Sequence, residues 1–526
     1  MIKKKFEINS IIKILALVFF LVFLVIPLGK LFLYLGDEGI AEIGAKYLLK
    51  ALTNTLVVGI VSSLLAVAIG FCLAFLLSRS QTRIRSLFSL IFVIPMLVPT
   101  IAHGSGLIIL FGNNAIFRRF LGLGANIYGF WGCVAGFILC TFPLAFIMFR
   151  NVLRYEDKRQ YEVADVLGVG KLRQFWGITL PYIFKSFTSV FCAIFALVIS
   201  DYGVPLMVGG HYKTLALLMY NDVIGLAKGS GSVISVLLLA IAFVVFIAEL
   251  KNQSNTEAFK PKHQSDKYSE NRAFIFFSKL ILTVAALFIL LYIGVFSIAA
   301  FTERYPYNLG FTLVNFTRTL GNSGIRYLKN SLLGALGAAA FGTILAYIFA
   351  YYTGRTVPKT GSVHILAVCP AAIPGIVLGL GYVLVFKGSF IYGTMLILIL
   401  INIVHFFAPG YLLAYNALLK INKNVEAVAE IFGINKFKAL VDIILPTTYT
   451  TALDMFSYFF VSSMITISAV SFIANTRIKP LSLMIPQYEN QQQTGNVAVV
   501  VLVILAVNLG QKSIIWLIKK RTEVFT

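Results

Sequence analysis

Long apolar runs, each of about 20 residues or more, follow one another along the whole chain and are separated by shorter polar stretches. A helix of that length crosses the roughly 30 Å hydrocarbon layer of a bilayer. The pattern therefore predicts an all-α polytopic membrane protein with about 12 transmembrane helices. The predicted spans of the first half lie at 11–35, 50–78, 86–112, 128–150, 181–200 and 231–249, and those of the second half at 273–300, 327–353, 363–386, 390–415, 446–474 and 495–518.

The two halves repeat the same order of polar and helix-breaking residues. Gly168 precedes Pro181 by 13 residues (181 − 168), and Gly433 precedes Pro446 by the same interval (446 − 433). Other pairs that recur at matching places are Asn54 and Asn330, Arg79 and Arg355, Pro95 and Pro370, Pro99 and Pro374, Gly106 and Gly381, and Asn151 and Asn416. Self-similarity on this scale indicates a tandem duplication. We therefore predict two repeats of six spans each.

A polar stretch separates the two predicted repeats. The first repeat covers residues 1–250, with its core at 50–250, and the second covers 273–526, with its core at 327–519. Residues 251–272 are polar and almost free of aliphatic side chains, which is typical of a solvated linker.

Composition and charge define the class of protein. Hydrophobic residues make up 59% of the chain and charged residues 12%, whereas a soluble domain carries roughly twice that charged fraction. The net charge of +23 could indicate nucleic-acid binding, but the lysines and arginines concentrate in loops that follow even-numbered spans. Because basic loops face the cytoplasm, we predict cytoplasmic termini and no nucleic-acid partner. The five cysteines lie within apolar runs, so we expect no metal site and no cofactor.

Each half carries one polar segment in which acidic residues stand beside small apolar ones. It predicts a short amphipathic helix that ends at a glycine, a second short helix, and a proline that begins the next span. A helix lying on the bilayer is the alternative, but such helices favour basic and bulky residues. Small apolar side chains beside acids suit a groove on a soluble partner. The residues of this pattern are Glu162, Ala164, Gly168 and Pro181 in the first repeat, and Glu426, Ala429, Gly433 and Pro446 in the second.

The first segment reads E-x-A-x3-G-x9-I-x-L-P from Glu162 to Pro181, and it resembles the EAA loop of permease subunits in bacterial binding-protein-dependent ABC importers. The second ends G-x9-I-x-L-P from Gly433 to Pro446 and resembles the same loop. Two such loops on one chain resemble the fused permeases of the ferric-iron type, with the thiamine permease close in layout. The resemblance covers the cores of both repeats.

That resemblance implies the type I permease fold in the bacterial inner membrane. It implies as partners two ATP-binding cassette ATPase subunits, an extracytoplasmic substrate-binding protein and the surrounding membrane lipid. In the family the loop forms a coupling helix that docks in a cleft of the ATPase, and the acid that pairs with a basic ATPase residue falls on Glu162. The second loop departs from this pattern, because Ala427 stands at that position and the acid moves to Glu426. A rotation of about 100° per residue changes what the carboxylate reaches, so the loops couple differently unless Glu426 compensates.

The segment SDYGVPLMVGG, which begins at Ser200, resembles the periplasm-facing segment after the fifth span of ferric-iron-type permeases. Its glycines and its proline predict an irregular re-entrant or gate segment. Asp201, Tyr202 and Gly203 are candidates for the translocation path or its gate. Asp201 either touches cargo, binding protein or gate, or it serves only as a helix end or packing partner.

Ionisable residues within the predicted spans are few. His103 and Ser468 are further candidates for lining the path, with structural hydrogen bonding as the alternative. No chain of Asp, Glu and His is present of the kind that an ion-coupled secondary transporter uses. That class is therefore the weaker alternative.

The chain lacks the Gly-x4-Gly-Lys-Ser/Thr loop that cradles nucleotide phosphates. We therefore expect a transport subunit and no enzyme, with ATP hydrolysis on partner subunits and alternating access between the two halves. The resemblance implies ferric iron as cargo. Thiamine, a phosphonate or another small anion are the alternatives.

Overall fold

The computed structural model describes residues 2–35, 44–80, 84–113, 126–157, 159–224, 228–253, 272–356, 361–422 and 424–523. These residues form helices, connecting segments and one antiparallel pair of strands. The helix suits a bilayer because it satisfies its own backbone hydrogen bonds within one segment. Most of the predicted linker, residues 254–271, lies outside the described residues.

The helices of the first repeat are α1 (Ile2–Phe20), α2 (Ile26–Phe32), α3 (Ala45–Arg79), α4 (Arg85–Val93), α5 (Thr100–Phe111), α6 (Phe130–Arg154), α7 (Arg159–Val166), α8 (Lys171–Gln174), α9 (Leu180–Ser200), α10 (Gly203–Val208), α11 (Leu215–Ile224) and α12 (Lys228–Gln253). The second repeat contains α13 (Arg272–Ala300), the strands β1 (Thr302–Arg304) and β2 (Asn308–Phe311), α14 (Val314–Thr319), α15 (Ile325–Tyr351), α16 (Gly361–Val368), α17 (Gly375–Phe386), α18 (Met395–His405), α19 (Phe407–Lys420), α20 (Asn424–Ile431), α21 (Lys436–Ala439), α22 (Leu445–Thr447), α23 (Tyr449–Ile465), α24 (Met484–Asn490) and α25 (Thr494–Glu523).

Eight helical stretches of the described residues are long and apolar enough to cross a membrane unaided. Three bent pairs raise the number to as many as 11, with angles of 102° between α4 and α5, 106° between α16 and α17, and 54° between α18 and α19. The predicted span at 446–474 is too long, because α23 has 17 residues and the chain leaves the helix at Thr466. The architecture is an all-α polytopic one of about 12 helices, as predicted.

The two sharp bends lie at the paired prolines. α5 begins after Pro99 and α17 after Pro374, and both prolines have extended backbone conformations, with ψ of 148° and 133°. Proline cannot donate a helical hydrogen bond, and it moves the residue before it out of the helical conformation. At the first bend the carbonyl of Leu97 accepts a hydrogen bond from Asn508 of α25 at 2.8 Å. Two equivalent helices are therefore broken at these prolines.

Pro181 does not begin the fifth span, and that part of the prediction is wrong. The helix continues from α8 into α9 through a wider π-turn at Phe175–Thr179. A proline ring clashes with the carbonyl four residues earlier, and a π-turn just before it removes that conflict. Pro446 follows a π-turn at Leu440–Ile444 in the same way.

Each repeat places its first helix against the other repeat. α2 packs on α17, and the hydroxyl of Tyr382 donates to the carbonyl of Phe23 at 2.9 Å just before it. α13 packs on α5, where the hydroxyl of Tyr292 lies 3.0 Å from Nδ1 of His103. This exchange joins the two repeats in one continuous apolar core.

Candidate functional site

The two repeated segments fold into the same short helix between the fourth and fifth spans. Gly168 lies two residues after α7 and Gly433 two residues after α20, and both glycines have φ of +69°. The amide of Val169 donates to the carbonyl of Ala164 at 2.8 Å, and the amide of Ile434 donates to Ala429 at 2.8 Å. This is the helix-ending motif in which glycine adopts the left-handed conformation. The prediction that both glycines end a short helix is confirmed, and their part in coupling stays a prediction.

Large apolar side chains form the outer face of each segment. Val166 and Leu167 are 88% and 72% exposed, and their counterparts Ile431 and Phe432 are 81% and 75% exposed. Ala164 and Ala429 instead lie against their own chain, at 5% and 3% exposure. The two alanines thus lie outside this face and allow each helix to approach its own repeat closely, and their part in coupling stays a prediction.

An arginine at the end of the second span holds the first segment. Arg79 pairs with Glu156 at 2.7 Å, and its guanidinium carbon lies 4.4 Å from the centre of the Tyr161 ring. The Tyr161 hydroxyl donates to the same carboxylate and lies 2.7 Å from the hydroxyl of Thr179. Burial and the Glu156 carboxylate raise the pKa of Tyr161. Glu162 stands next in sequence and is partly exposed.

Arg355 occupies the equivalent position in the second repeat, and its partner is Glu426. Nε of Arg355 donates to Glu426 Oε1 at 2.5 Å, and Nη2 donates to the other oxygen. The same guanidinium donates to the carbonyls of Ile421 at 2.5 Å and Asn422 at 2.9 Å. The displaced acid of the second loop therefore turns towards its own repeat.

Asp201 joins two helix starts in the first repeat. Its Oδ1 accepts a hydrogen bond from the hydroxyl of Thr100 at 2.5 Å, and its Oδ2 accepts one from the amide of Val204 at 3.0 Å. α10 therefore lies against α5 just beyond the bend at Pro99. The chain leaves the fifth span at Asp201, whose backbone is extended, but Gly203 and Pro205 lie within the short helix α10. The prediction of an irregular segment at these two residues is therefore wrong, and its role as a gate stays a prediction.

Tyr202 reaches from this segment into the second repeat. It is fully buried, its ring stacks on Tyr220 with centres 4.2 Å apart, and its hydroxyl bonds to Ser471. Gly203 leaves no room for a side chain, since a Cβ there would lie 2.7 Å from Cδ1 of Ile467 and 2.9 Å from Oγ1 of Thr100. The segment that follows the fifth span of the first repeat thus contacts the corresponding segment of the second repeat.

Ser468 is the counterpart of Gly203 (468 − 203 = 265, as 433 − 168), and Gly375 is the counterpart of Thr100 (375 − 100 = 275, as 374 − 99). A Cβ at Gly375 would lie 2.7 Å from Oγ of Ser468 and 2.9 Å from Nε2 of His405. Each repeat therefore packs one hydroxyl side chain against one glycine at this contact: Thr100 lies beside Gly203, and Ser468 lies beside Gly375. His103 lies elsewhere, buried against Tyr292, and its place on a path stays a prediction.

The asparagines that open the second spans hold the chain beyond these segments. Nδ2 of Asn54 donates to the carbonyl of Lys213 at 2.9 Å, and Nδ2 of Asn330 donates to the carbonyl of Lys479 at 3.2 Å. The residues that follow them act alike: Thr55 accepts from the amide of Leu215 at 2.8 Å, and Ser331 accepts from the amide of Leu481 at 2.8 Å. In both repeats these bonds hold the chain that leads into α11 or α24 against the first half of α3 or α15.

A comparison with protein families explains this symmetry. The family described as binding-protein-dependent transport system inner membrane component matches residues 66–251 and again residues 342–523. The chain belongs to this family. Because each match contains one repeated segment and one crossing after the fifth span, the permease is a fusion of two family domains.

Some relatives of the permease align with most of the chain and others with a shorter part of it. A ferric transport system permease protein of Haemophilus influenzae is 24% identical over 90% of this chain and 79% of its own length. The ferric transport system permease protein of Actinobacillus pleuropneumoniae is 22% identical over 90% of this chain and 73% of its own. The molybdate/tungstate transport system permease protein of Pyrococcus abyssi is 28% identical over 38% of this chain and 76% of its own, which corresponds to one repeat.

Sequence reasoning missed two parts of this site. The first is the role of Arg79 and Arg355, which the sequence shows only as basic residues at the ends of matching apolar runs. The second is the contact of Tyr202 with Ser471, for which the neighbouring sequence gives no signal. Within the described residues, no group of three or more His, Cys, Asp and Glu side chains is placed to hold a metal ion.

Proposed function

We propose that this permease forms the translocation path of an ATP-driven importer and is coupled to two ATPase subunits through α7 and α20. The observation that supports it is the matched pair of exposed apolar faces at Val166 and Ile431, at 88% and 81% exposure. Exposed apolar side chains on short helices, ended by identical glycine caps, suit grooves on a soluble partner. Glu162 lies on the same first helix and supplies the acid for pairing with a basic residue of the ATPase.

The same proposal sets the orientation of the chain. Both repeated segments and both termini face the cytoplasm, because the basic loops share that side. The contact of Tyr202 with Ser471 then lies towards the opposite face, together with Asp201, Gly203 and Ser468. In alternating access, this contact closes the path on the outer side, and a docked binding protein delivers cargo when it opens.

The proposed cargo is ferric iron. The two relatives that cover 90% of this chain are both ferric transport system permeases, whereas the molybdate/tungstate relative covers 38%. Uptake of radioactive iron should require the permease, and excess molybdate or thiamine should leave that uptake unchanged. Loss of molybdate or thiamine uptake on deletion of the permease, with iron uptake intact, would contradict the assignment.

Coupling is tested by crosslinking from cysteines placed at Val166 and Ile431, in a variant without the five native cysteines. Membranes that contain the candidate ATPase subunit should give crosslinks at both positions, and a non-hydrolysable ATP analogue should change their yield. Cysteine at Phe390, which is 92% exposed in the loop after α17, is the control on the opposite face. The proposal fails if Val166 and Ile431 label from the cytoplasm but neither crosslinks to the ATPase.

A further inference from the structure

We propose that the second span of each repeat, α3 or α15, is a mechanical link between two parts of the permease. One part is the docking segment, α7 or α20, which contacts the ATPase. The other is the outer contact, where Tyr202 meets Ser471. The inference rests on the proposed function, because it names the residues that transmit the movement of the ATPase subunits to the outer contact. α3 carries Asn54 in its first half and Arg79 as its last residue, and α15 with its following π-turn carries Asn330 and Arg355 in the same order. Both pairs are 25 residues apart (79 − 54 and 355 − 330), or about 37 Å along a helix.

The arginine ends of the two spans hold the docking segments by different chemistry. Arg79 pairs with Glu156 and covers the ring of Tyr161, whereas Arg355 pairs with Glu426. Tyr161 and Glu426 are equivalent positions (426 − 161 = 265). The carboxylate thus comes from a different place in each repeat, while the arginine and the segment that it holds are the same. Both repeats thus bond the end of the second span to the docking segment, although the bonding partners differ. This indicates that the bond between span and segment has a role in both repeats.

Both ion pairs are shielded enough from water to transmit force. The side chain of Arg355 is 1% exposed and that of Glu426 is 18% exposed, while Arg79 and Glu156 are 15% and 3% exposed. Buried pairs with further hydrogen bonds are held in one geometry, unlike exposed pairs, which are weak and mobile. A movement of α7 or α20 therefore displaces the end of the second span.

The asparagine ends connect the same spans to the outer contact. Asn54 and Thr55 hold the chain from Lys213 to Leu215, which follows α10. Asn330 and Ser331 hold the chain at Lys479 and Leu481, which follows the residues that meet Tyr202. Each second span is thus bonded at one end to the docking segment and at the other to the outer segment of its own repeat.

Close packing makes these spans rigid along their length. A Cβ at Gly59 would lie 2.8 Å from the ring of Phe195 in α9, and Gly70 of α3 faces Ala145 of α6 with no room for a side chain. In the second repeat a Cβ at Gly342 would lie 3.0 Å from the ring of Phe459 in α23. Helices that approach this closely move as packed units, which is how coupling travels between distant sites.

The test uses the complete importer in liposomes, with the permease, its ATPase subunits and an iron-loaded binding protein. The variants are Arg355→Lys, which retains the charge but loses the planar fork, and Asn330→Ala at the far end of the same span. Each should retain crosslinking of Ile431 to the ATPase, and each should lower the iron transported per ATP hydrolysed by about tenfold, within the range of measured couplings between sites. Arg79→Lys and Asn54→Ala should do the same in the first repeat.

Asp454→Asn is the matched control, because it removes a more exposed ion pair, with Lys519, that joins two spans away from the docking segments. This variant should transport iron with the normal yield per ATP. Exchange of the charges, as Arg355→Glu with Glu426→Arg, should restore part of the yield that either single change removes. The inference is overturned if Arg355→Lys and Asn330→Ala fold, bind the ATPase and keep the normal yield. Absence of crosslinking in the unmodified permease would instead overturn the proposed function.

Discussion

Val166 and Ile431 stand at the same position of α7 and α20 (431 − 166 = 265) and point their side chains away from their own chain, at 88% and 81% exposure. We expect both to be buried against ATPase subunits in the assembled importer. Val166→Asp and Ile431→Asp should each lower the affinity for the ATPase by roughly tenfold or more, because central apolar contacts dominate binding and a charge opposes their burial.

Affinity is measured by retention of the ATPase on the purified permease over a range of concentrations. Phe390→Asp changes a side chain that is 92% exposed in the loop after α17 and should leave the affinity unchanged. Equal affinities for Ile431→Asp and the unmodified permease would show that α20 does not dock.

The architecture could be predicted because its signals are local. Apolar length, the prolines at the bends and the glycines after α7 and α20 act on the residues beside them, and the duplication places each of them twice. Where local rules competed, the prediction was wrong. Pro181 reads as a helix start, but the π-turn before it lets one helix continue from α8 into α9.

The contacts that organise the site could not be predicted, because they join distant residues. The sequence separation is 77 residues between Arg79 and Glu156 and 71 residues between Arg355 and Glu426. It is 269 residues between Tyr202 and Ser471. A positively charged residue after an apolar run is also the ordinary sign of a cytoplasmic loop. Only the packed structure separates a charge that holds a segment from one that marks a membrane side.

The left-handed backbone at Gly168 makes a prediction about one helix end. Gly168→Ala should open α7 because alanine at φ of +69° is strained by about 1–2 kcal/mol. The amide of Val169, which bonds to Ala164, should then exchange its hydrogen roughly 5–30 times faster. A Cβ at Gly168 meets no atom within 4 Å, so a clash is not the cause.

Gly170→Ala is the matched control two residues away. Its φ is −59°, and a Cβ there also meets nothing within 4 Å. Exchange at Val169 should therefore be nearly unchanged in this variant, and Gly168→Asn should fall between the two because asparagine tolerates the left-handed conformation. Equal effects of Gly168→Ala and Gly170→Ala would contradict the assignment of the cap.

The bond between Tyr202 and Ser471 predicts an energetic coupling between the repeats. Tyr202→Phe should destabilise the permease by about 1 kcal/mol, since it removes one side of a buried hydrogen bond. Ser471→Ala should cost more, because the Ser471 hydroxyl also donates to the carbonyl of Ile467. The double variant should be little worse than Ser471→Ala alone. Denaturation in mild detergent measures the three free energies of unfolding.

Ser389 provides the reference for that cycle, because its hydroxyl bonds only locally, to the carbonyl of Phe386 at 2.7 Å. Tyr202→Phe combined with Ser389→Ala should show additive effects. Additive effects for Tyr202→Phe with Ser471→Ala would instead mean that the two side chains do not stabilise one another.

Variants of Asp201 distinguish a structural role of this residue from direct contact with cargo. Its two carboxylate oxygens accept hydrogen bonds from Thr100 and from the amide of Val204, which favours the role of a helix-end and packing residue. Asp201→Ala should destabilise the permease by about 1–2 kcal/mol, as loss of a capping side chain does. Asp201→Asn keeps one acceptor oxygen and should lie between Asp201→Ala and the unmodified protein in stability, and it should retain most of the iron uptake. A carboxylate that binds the cargo cation would give a different result, because Asp201→Asn would then abolish uptake while the unfolding temperature stayed nearly constant.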